Sequence, residues 1–131
     1  MEKPDMIIEV GNARWEVALY ENPSARALRA ALPQTISMDR WGDEFYGRLP
    51  ARLPDHDEQR DLYEIGEVAF WQPGNAFCIF FGPTPASHGN EPRMASPGVP
   101  LGKIVKGDPL MFKNLGLSIG KVSLLPAHEG C

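Results

Sequence analysis

At 131 residues, with 43% hydrophobic and 23% charged residues, the chain has the composition of one globular domain and not of a disordered segment. A domain of this size buries roughly two-thirds of its unfolded surface, so it holds a core without metal or disulfide staples. The net charge of −4, with Lys and Arg scattered along the chain, argues against a nucleic-acid partner, and no apolar run reaches the length of a membrane span.

Gly and Pro number 13 each, which favours short strands and turns over a helix bundle. Met1-Glu2-Lys3-Pro4-Asp5 is too polar to open a signal peptide. The two cysteines, Cys78 and Cys131, make no Cys-x-x-Cys pair. Both read as reduced thiols of a cytoplasmic protein, with no metal site encoded and no cofactor implied.

Met6 to Val10 is a short apolar strand that ends at the turn pair Gly11-Asn12. Arg14 to Tyr20 alternates, with Trp15, Val17 and Leu19 on one face, which predicts the second strand of a hairpin. Asn22 is placed to cap a helix over Ser24 to Leu32, with Pro23 in the first turn and Pro33 as the stop. Thr35 to Trp41 reads as a strand, and Glu44 to Arg48 as its partner across Gly42-Asp43. Leu49 to Asp61 reads as a loop. Gly66 to Trp71 is the next strand, and Gln72-Pro73-Gly74-Asn75 has the residue order of a type II turn. Ala76 to Phe81 is apolar on both faces and predicts a central strand covered on both sides. Gly82 to Pro100 contains five prolines and no period, and reads as a long irregular segment. Leu101 to Val105 predicts a strand, Pro109 to Leu115 one helical turn, and Lys121 to Leu125 a last strand entered through Gly120. About eight strands, one short helix and no βαβ alternation predict a mainly β fold: a closed antiparallel barrel spanning residues 1–131 as one domain.

Three motifs suggest chemistry and are better read as structure. Gly116-Leu117-Ser118-Ile119-Gly120 matches the nucleophile elbow G-x-S-x-G, but only 11 residues follow and they look like a strand. Asp55-His56-Asp57-Glu58 offers adjacent ligands in a loop, which rarely converge on one ion. Ser87 and His88 are neighbours whose side chains point apart in extended chain.

Glu44 and Tyr46 are different, because a period of two puts a carboxylate and a phenol on one strand face with Trp41 close by; that face either looks into the barrel mouth and lines a pocket or is the outer face of a hairpin. Arg93, bracketed by Pro92 and Pro97 in the long loop, is placed to bind an anion, to pair with Glu44 or to clamp the loop as a structural residue.

Trp41-Gly42-Asp43-Glu44-Phe45-Tyr46 resembles the W-G-[DE]-E-[IF]-Y strand of a small family with a cyclophilin-like fold. The run Ile65-Gly66-Glu67-Val68-Ala69-Phe70-Trp71-Gln72-Pro73-Gly74-Asn75-Ala76-Phe77-Cys78-Ile79-Phe80-Phe81-Gly82-Pro83-Thr84-Pro85 is similar to that family's longest motif. Ala95-Ser96-Pro97 and Leu101-Gly102-Lys103-Ile104 fit the same template, while Val99 stands where relatives are expected to carry Asn. The resemblance implies a cyclophilin-like barrel of about eight strands in bacterial and archaeal proteins. It does not bring prolyl isomerase activity with it: the Phe-His-Arg motif of true cyclophilins is absent, and Ile79 precedes Phe80-Phe81 where they carry Gln.

The leading expectation is a cytoplasmic barrel that binds a small molecule or peptide in a pocket at its rim. Trp41, Glu44, Tyr46, Trp71, Phe81, Arg93 and Ser96 are the candidate residues. A weak peptidyl-prolyl isomerase and a non-catalytic interaction protein acting as a homo-oligomer are the rival readings.

Overall fold

A computed structural model describes residues 3–127; Cys131 lies outside the described residues. The chain opens with the hairpin of β1 (Met6–Val10) and β2 (Ala13–Leu19), in which Ile8 pairs with Trp15 and Met6 with Val17. Helix α1 (Pro23–Ala31) follows. Its cap is Asn22, whose Oδ1 accepts from the Ala25 N–H at 2.8 Å while its Nδ2 donates to the Pro100 carbonyl at 2.8 Å. One side chain thus starts the helix and ties it to the barrel wall. Ala25 and Leu28 are the helix residues buried in the core.

The remaining strands are β3 (Gln34–Arg40), β4 (Glu44–Arg48), β5 (Arg60–Leu62), β6 (Glu67–Trp71), β7 (Ala76–Phe80), β8 (Arg93–Lys106) and β9 (Ser118–Pro126). All pairings are antiparallel, and the sheet runs β2-β1-β9-β3-β4-β7-β6-β8-β5. A further pairing of β2 with β8 closes eight strands into the expected barrel. β5 is left outside the ring, attached to the first half of β8.

The barrel is filled with rings. Phe45, Phe70, Phe77, Phe81 and Phe112 are fully buried, beside Ile79, Val68, Leu101 and Leu124. Phe112 comes from a 3-10 turn over Pro109–Asn114, where one helical turn is expected. Its ring stacks on Trp15 at 4.0 Å and meets Phe81 at 5.8 Å and Phe45 at 6.2 Å. The expected central strand is β7: Phe77, Cys78 and Ile79 are at most 1% exposed. Its two faces belong to different cores. Phe77 and Ile79 face the barrel interior, whereas Ala76, Cys78 and Phe80 join Tyr63, Ala69 and Met94 in a second cluster on the outer side.

Three sequence expectations are corrected. Gln72–Gly74 is a 3-10 turn, and Asn75 rather than Gly74 takes the left-handed conformation, with φ 47°. Asn tolerates that region, and here its amide is anchored. Nδ2 donates to the carbonyls of Leu49 and Ala51 at 3.1 and 2.8 Å, and Oδ1 accepts from the Leu53 N–H at 3.3 Å. Residues 93–100, expected to be irregular, form the first half of β8 despite Pro97 and Pro100. Proline's fixed φ suits extended chain and removes only a donor, and the pairing accommodates this with register shifts. The loop from Leu49 to Asp61 runs into β5 at Arg60.

Among the described residues, no helix is long and apolar enough to cross a membrane.

Candidate functional site

The site is built on the outer face of the β4–β7–β6 wall. In the β4–β7 register Glu44 opposes Phe80, Phe45 opposes Ile79, and Tyr46 opposes Cys78. Phe45 and Ile79 turn inward to the barrel core, so Glu44, Tyr46 and Cys78 turn outward together. The pocket therefore lies against the barrel wall and not at the rim, where it was expected. Glu44 and Tyr46 share a face as expected, and of the two readings of that face the outer one is found.

A concave site on an outer wall needs a cover. The turn between β3 and β4 supplies one edge: the Trp41 N–H donates to the Glu44 carbonyl at 2.8 Å, and Gly42 sits at φ +62°. A Cβ at Gly42 would stand 2.8 Å from both Thr84 Cα and Pro85 Cδ, so only glycine lets the 83–85 segment pack there. The Asp43 N–H donates to the Pro83 carbonyl at 2.9 Å. The first residues of β8 supply the other edge, held by Thr84 Oγ1 donating to the Arg93 carbonyl at 2.5 Å. The result is a cavity of about 330 Å³ lined by Trp41, Glu44, Tyr46, Trp71, Cys78, Met94 and Ala95.

Glu44 is the polar group that stands out. It is 4% exposed, and its Oε1 has no hydrogen-bond partner among the described residues. A buried carboxylate is normally fully hydrogen-bonded or paired. Burial pushes this carboxyl from 4.5 up to about 7, with the neighbouring Cys78 thiol pulling the other way. Burial also pushes the Cys78 thiol well above its ordinary range, which disfavours the reactive thiolate.

The seven sequence-predicted residues divide. Trp41, Glu44, Tyr46 and Trp71 line the cavity together. Ser96 acts one step back: its Oγ accepts from the Trp71 indole Nε1 at 2.8 Å and fixes that wall. Phe81 is not in the cavity. It continues the inward alternation of Phe77 and Ile79, is fully buried in the barrel and packs on Phe45 at 5.5 Å.

Arg93 does not pair with Glu44 either. Its guanidinium bonds Asp61 at 2.9 Å and Glu91 at 3.1 Å, pinning β5 and the preceding turn to β8. The residue after it, Met94, is the one that turns to the site. Cys78, Met94 and Ala95 were missed from sequence. The register of Cys78 opposite Tyr46 is a signal that could have found the first; the prolines hid the strand that carries the other two.

The other motifs resolve as structure. Ser87 Oγ donates to the Glu91 carbonyl and accepts from the Thr84 N–H, while the His88 N–H donates to the Glu91 carboxylate. Gly116, at φ +84°, opens the turn into β9, where Ser118 is the first residue. Among the described residues, no three His, Cys, Asp or Glu side chains stand together as metal ligands.

An ion pair between the partly exposed Arg60 and the buried Glu67 ties β5 to the start of β6. Arg60 grips Glu67 at 2.6 and 3.0 Å, and Glu67 also accepts from Tyr20 at 2.6 Å and from the Glu64 N–H at 2.8 Å. Burial pushes the Glu67 carboxyl up, but the hydrogen bonds from Arg60 and Tyr20 outweigh it and hold it below the usual range.

An eight-stranded antiparallel barrel with one short helix and a walled site on its outer face defines the class of protein. The family model described as Cyclophilin-like matches residues 4–122, and the chain belongs to that family. It is similar to a hypothetical protein from Archaeoglobus fulgidus whose solution structure is known. The two share 33% identity and a TM-score of 0.78, over 97% of this chain and 98% of that one. No curated protein matches the chain.

Proposed function

We propose that this protein is a cytoplasmic small-molecule-binding barrel whose ligand occupies the cavity on the outer wall. One observation carries the reading: Glu44, 4% exposed and with an unpartnered Oε1, lies in the lining of an aromatic-walled cavity. Buried polar groups without partners are rare in folded proteins and gather at sites that bind something. The volume of about 330 Å³ suits a small molecule, being at the low end of ligand pockets, which run from ~300 to ~1,000 Å³.

The test is a fragment screen read by nuclear magnetic resonance at the three indole N–H signals. Trp15 is an internal control, since its Nε1 donates to the Asp108 carbonyl at 2.8 Å, away from the cavity. Binding in the cavity shifts the Trp41 and Trp71 signals and leaves Trp15 in place. Hits that shift Trp15 alone, or a screen without hits, overturn the reading; an extended peptide that shifts Trp41 and Trp71 where no small molecule does replaces the ligand class.

A further inference from the structure

Resting on that reading, we infer that the ligand is a small protonated amine, with its ammonium N–H against Glu44 and its apolar body between Trp41, Tyr46 and Trp71. Burial together with pairing singles out this carboxylate: Glu44 and Glu67 are the buried acidic side chains among the described residues, and Glu67 is paired with Arg60. Asp43 is bonded to Arg40 at 2.7 Å, Glu67 to Arg60, and Asp61 and Glu91 to Arg93. Among the described residues, Glu44 has no such cation. The groups around it in the cavity are two indoles, a phenol, a thiol, a thioether and a methyl group. A site that holds one buried negative charge inside aromatic walls lacks its countercharge, and a ligand can bring it.

The walls favour the same chemistry. Indole and phenol faces attract a cation through their ring quadrupoles, more strongly when the site excludes water. The orphan Oε1 asks for a hydrogen-bond donor, which an amine has and a quaternary ammonium lacks. The last carboxyl torsion is broad, so turning either oxygen toward the cavity costs little. A divalent metal ion is a poor occupant, since it needs several oxygen ligands and the lining offers one carboxylate.

The ammonium needs Glu44 ionised, which links binding to pH. Burial places the Glu44 carboxyl at about 7. The side chains that face it are Tyr46 on its own strand and those of β7, the outer cluster and β8. Cys78 on β7 is pushed well above its usual value by burial, and so is Tyr63 in the outer cluster. Met94 and Ala95 of β8 do not titrate, and the neighbouring Arg93 is bonded to Asp61 and Glu91. Affinity for an amine therefore falls roughly tenfold for each pH unit below about 7.

The experiment titrates phenethylamine and its neutral isostere 2-phenylethanol into the full chain, following the indole signals at pH 5.5 and 7.5. The amine is expected to shift Trp41 and Trp71, to bind more than tenfold more weakly at pH 5.5, and to lose its preference over the alcohol in Glu44→Gln. An unmoved Trp15 signal in that variant shows that the barrel core is intact. If amine and alcohol bind alike, or if amine affinity is flat across pH, the amine assignment is overturned while the cavity remains a binding site. If neither probe moves Trp41 or Trp71 at any pH, the cavity reading falls with it.

Discussion

The Trp71 indole and the Ser96 hydroxyl form a 2.8 Å hydrogen bond that spans from the end of β6 to the first half of β8. It fixes the plane of one aromatic wall of the cavity without touching the barrel interior. Removing it should therefore affect the site more than the fold. Ser96→Ala is expected to cost about 1 kcal/mol or less in a urea melt, since one partly buried hydrogen bond is lost. The same change should broaden or shift the Trp71 indole signal while leaving Trp15 alone. An unchanged Trp71 signal would show that packing alone orients the ring.

Glu44 predicts an unusual pH dependence of stability. The unfolded chain releases this proton near 4.5, and the folded chain releases it near 7. Between those values the folded state binds more protons, so stability falls as pH rises from about 4.5 to about 7 and then levels. The shift corresponds to about 3 kcal/mol. Glu67 and Glu91 act in the opposite sense, because both are held below the usual range, Glu91 at about 2 by the His88 N–H, the Arg93 guanidinium and the Gly89 N–H. Their contribution is complete above about 4.5 and is lost in more acid solution. Urea melts at pH 5 and pH 8 should show Glu44→Gln gaining about 2–3 kcal/mol on the native chain at the higher pH. Parallel behaviour at both pH values would contradict the buried, unpaired carboxylate.

Phe77 lies in the barrel interior and is fully buried. Phe77→Ala removes a large ring from a closed barrel that has little room to collapse, and should cost roughly 3–5 kcal/mol in a denaturant melt. A loss below about 1 kcal/mol would be incompatible with that packing.

The protein should not accelerate prolyl isomerisation above background at micromolar concentration. An arginine beside the prolyl amide is the feature such catalysis uses, and Arg93 is bonded to Asp61 and Glu91. A peptide assay with cyclosporin as competitor checks this. A cyclosporin-sensitive rate that disappears in Arg93→Ala would reverse the conclusion.

Strand alternation made much of this legible in the sequence. It paired Glu44 with Tyr46 and marked Ala76 to Phe81 as covered on both sides, while residue type alone, Asn22 before Pro23, gave the helix its cap. Inside and outside were not legible, for a physical reason. β7 is apolar on both faces, so its pattern cannot say which face fills the barrel. That ambiguity put the pocket at the rim and Phe81 within it. Arg93 was misassigned for another reason. Pro97 and Pro100 hid the strand, and without its register there was no way to see that Met94, not Arg93, turns to the site.

β8 takes part in two structures at once. Its second half is held on both sides by β2 and β6, within the closed ring. Its first residues, from Arg93, are paired with the three-residue β5 across a register shift. The two halves are held differently: the second by strand pairing on both sides, the first by β5 and by side-chain bonds from Trp71 to Ser96, Thr84 to the Arg93 carbonyl and Arg93 to Asp61. Hydrogen exchange should separate the two halves: amides near Met94, outside the closed ring, should exchange with solvent sooner than those around Leu101, which exchange only when the whole molecule unfolds.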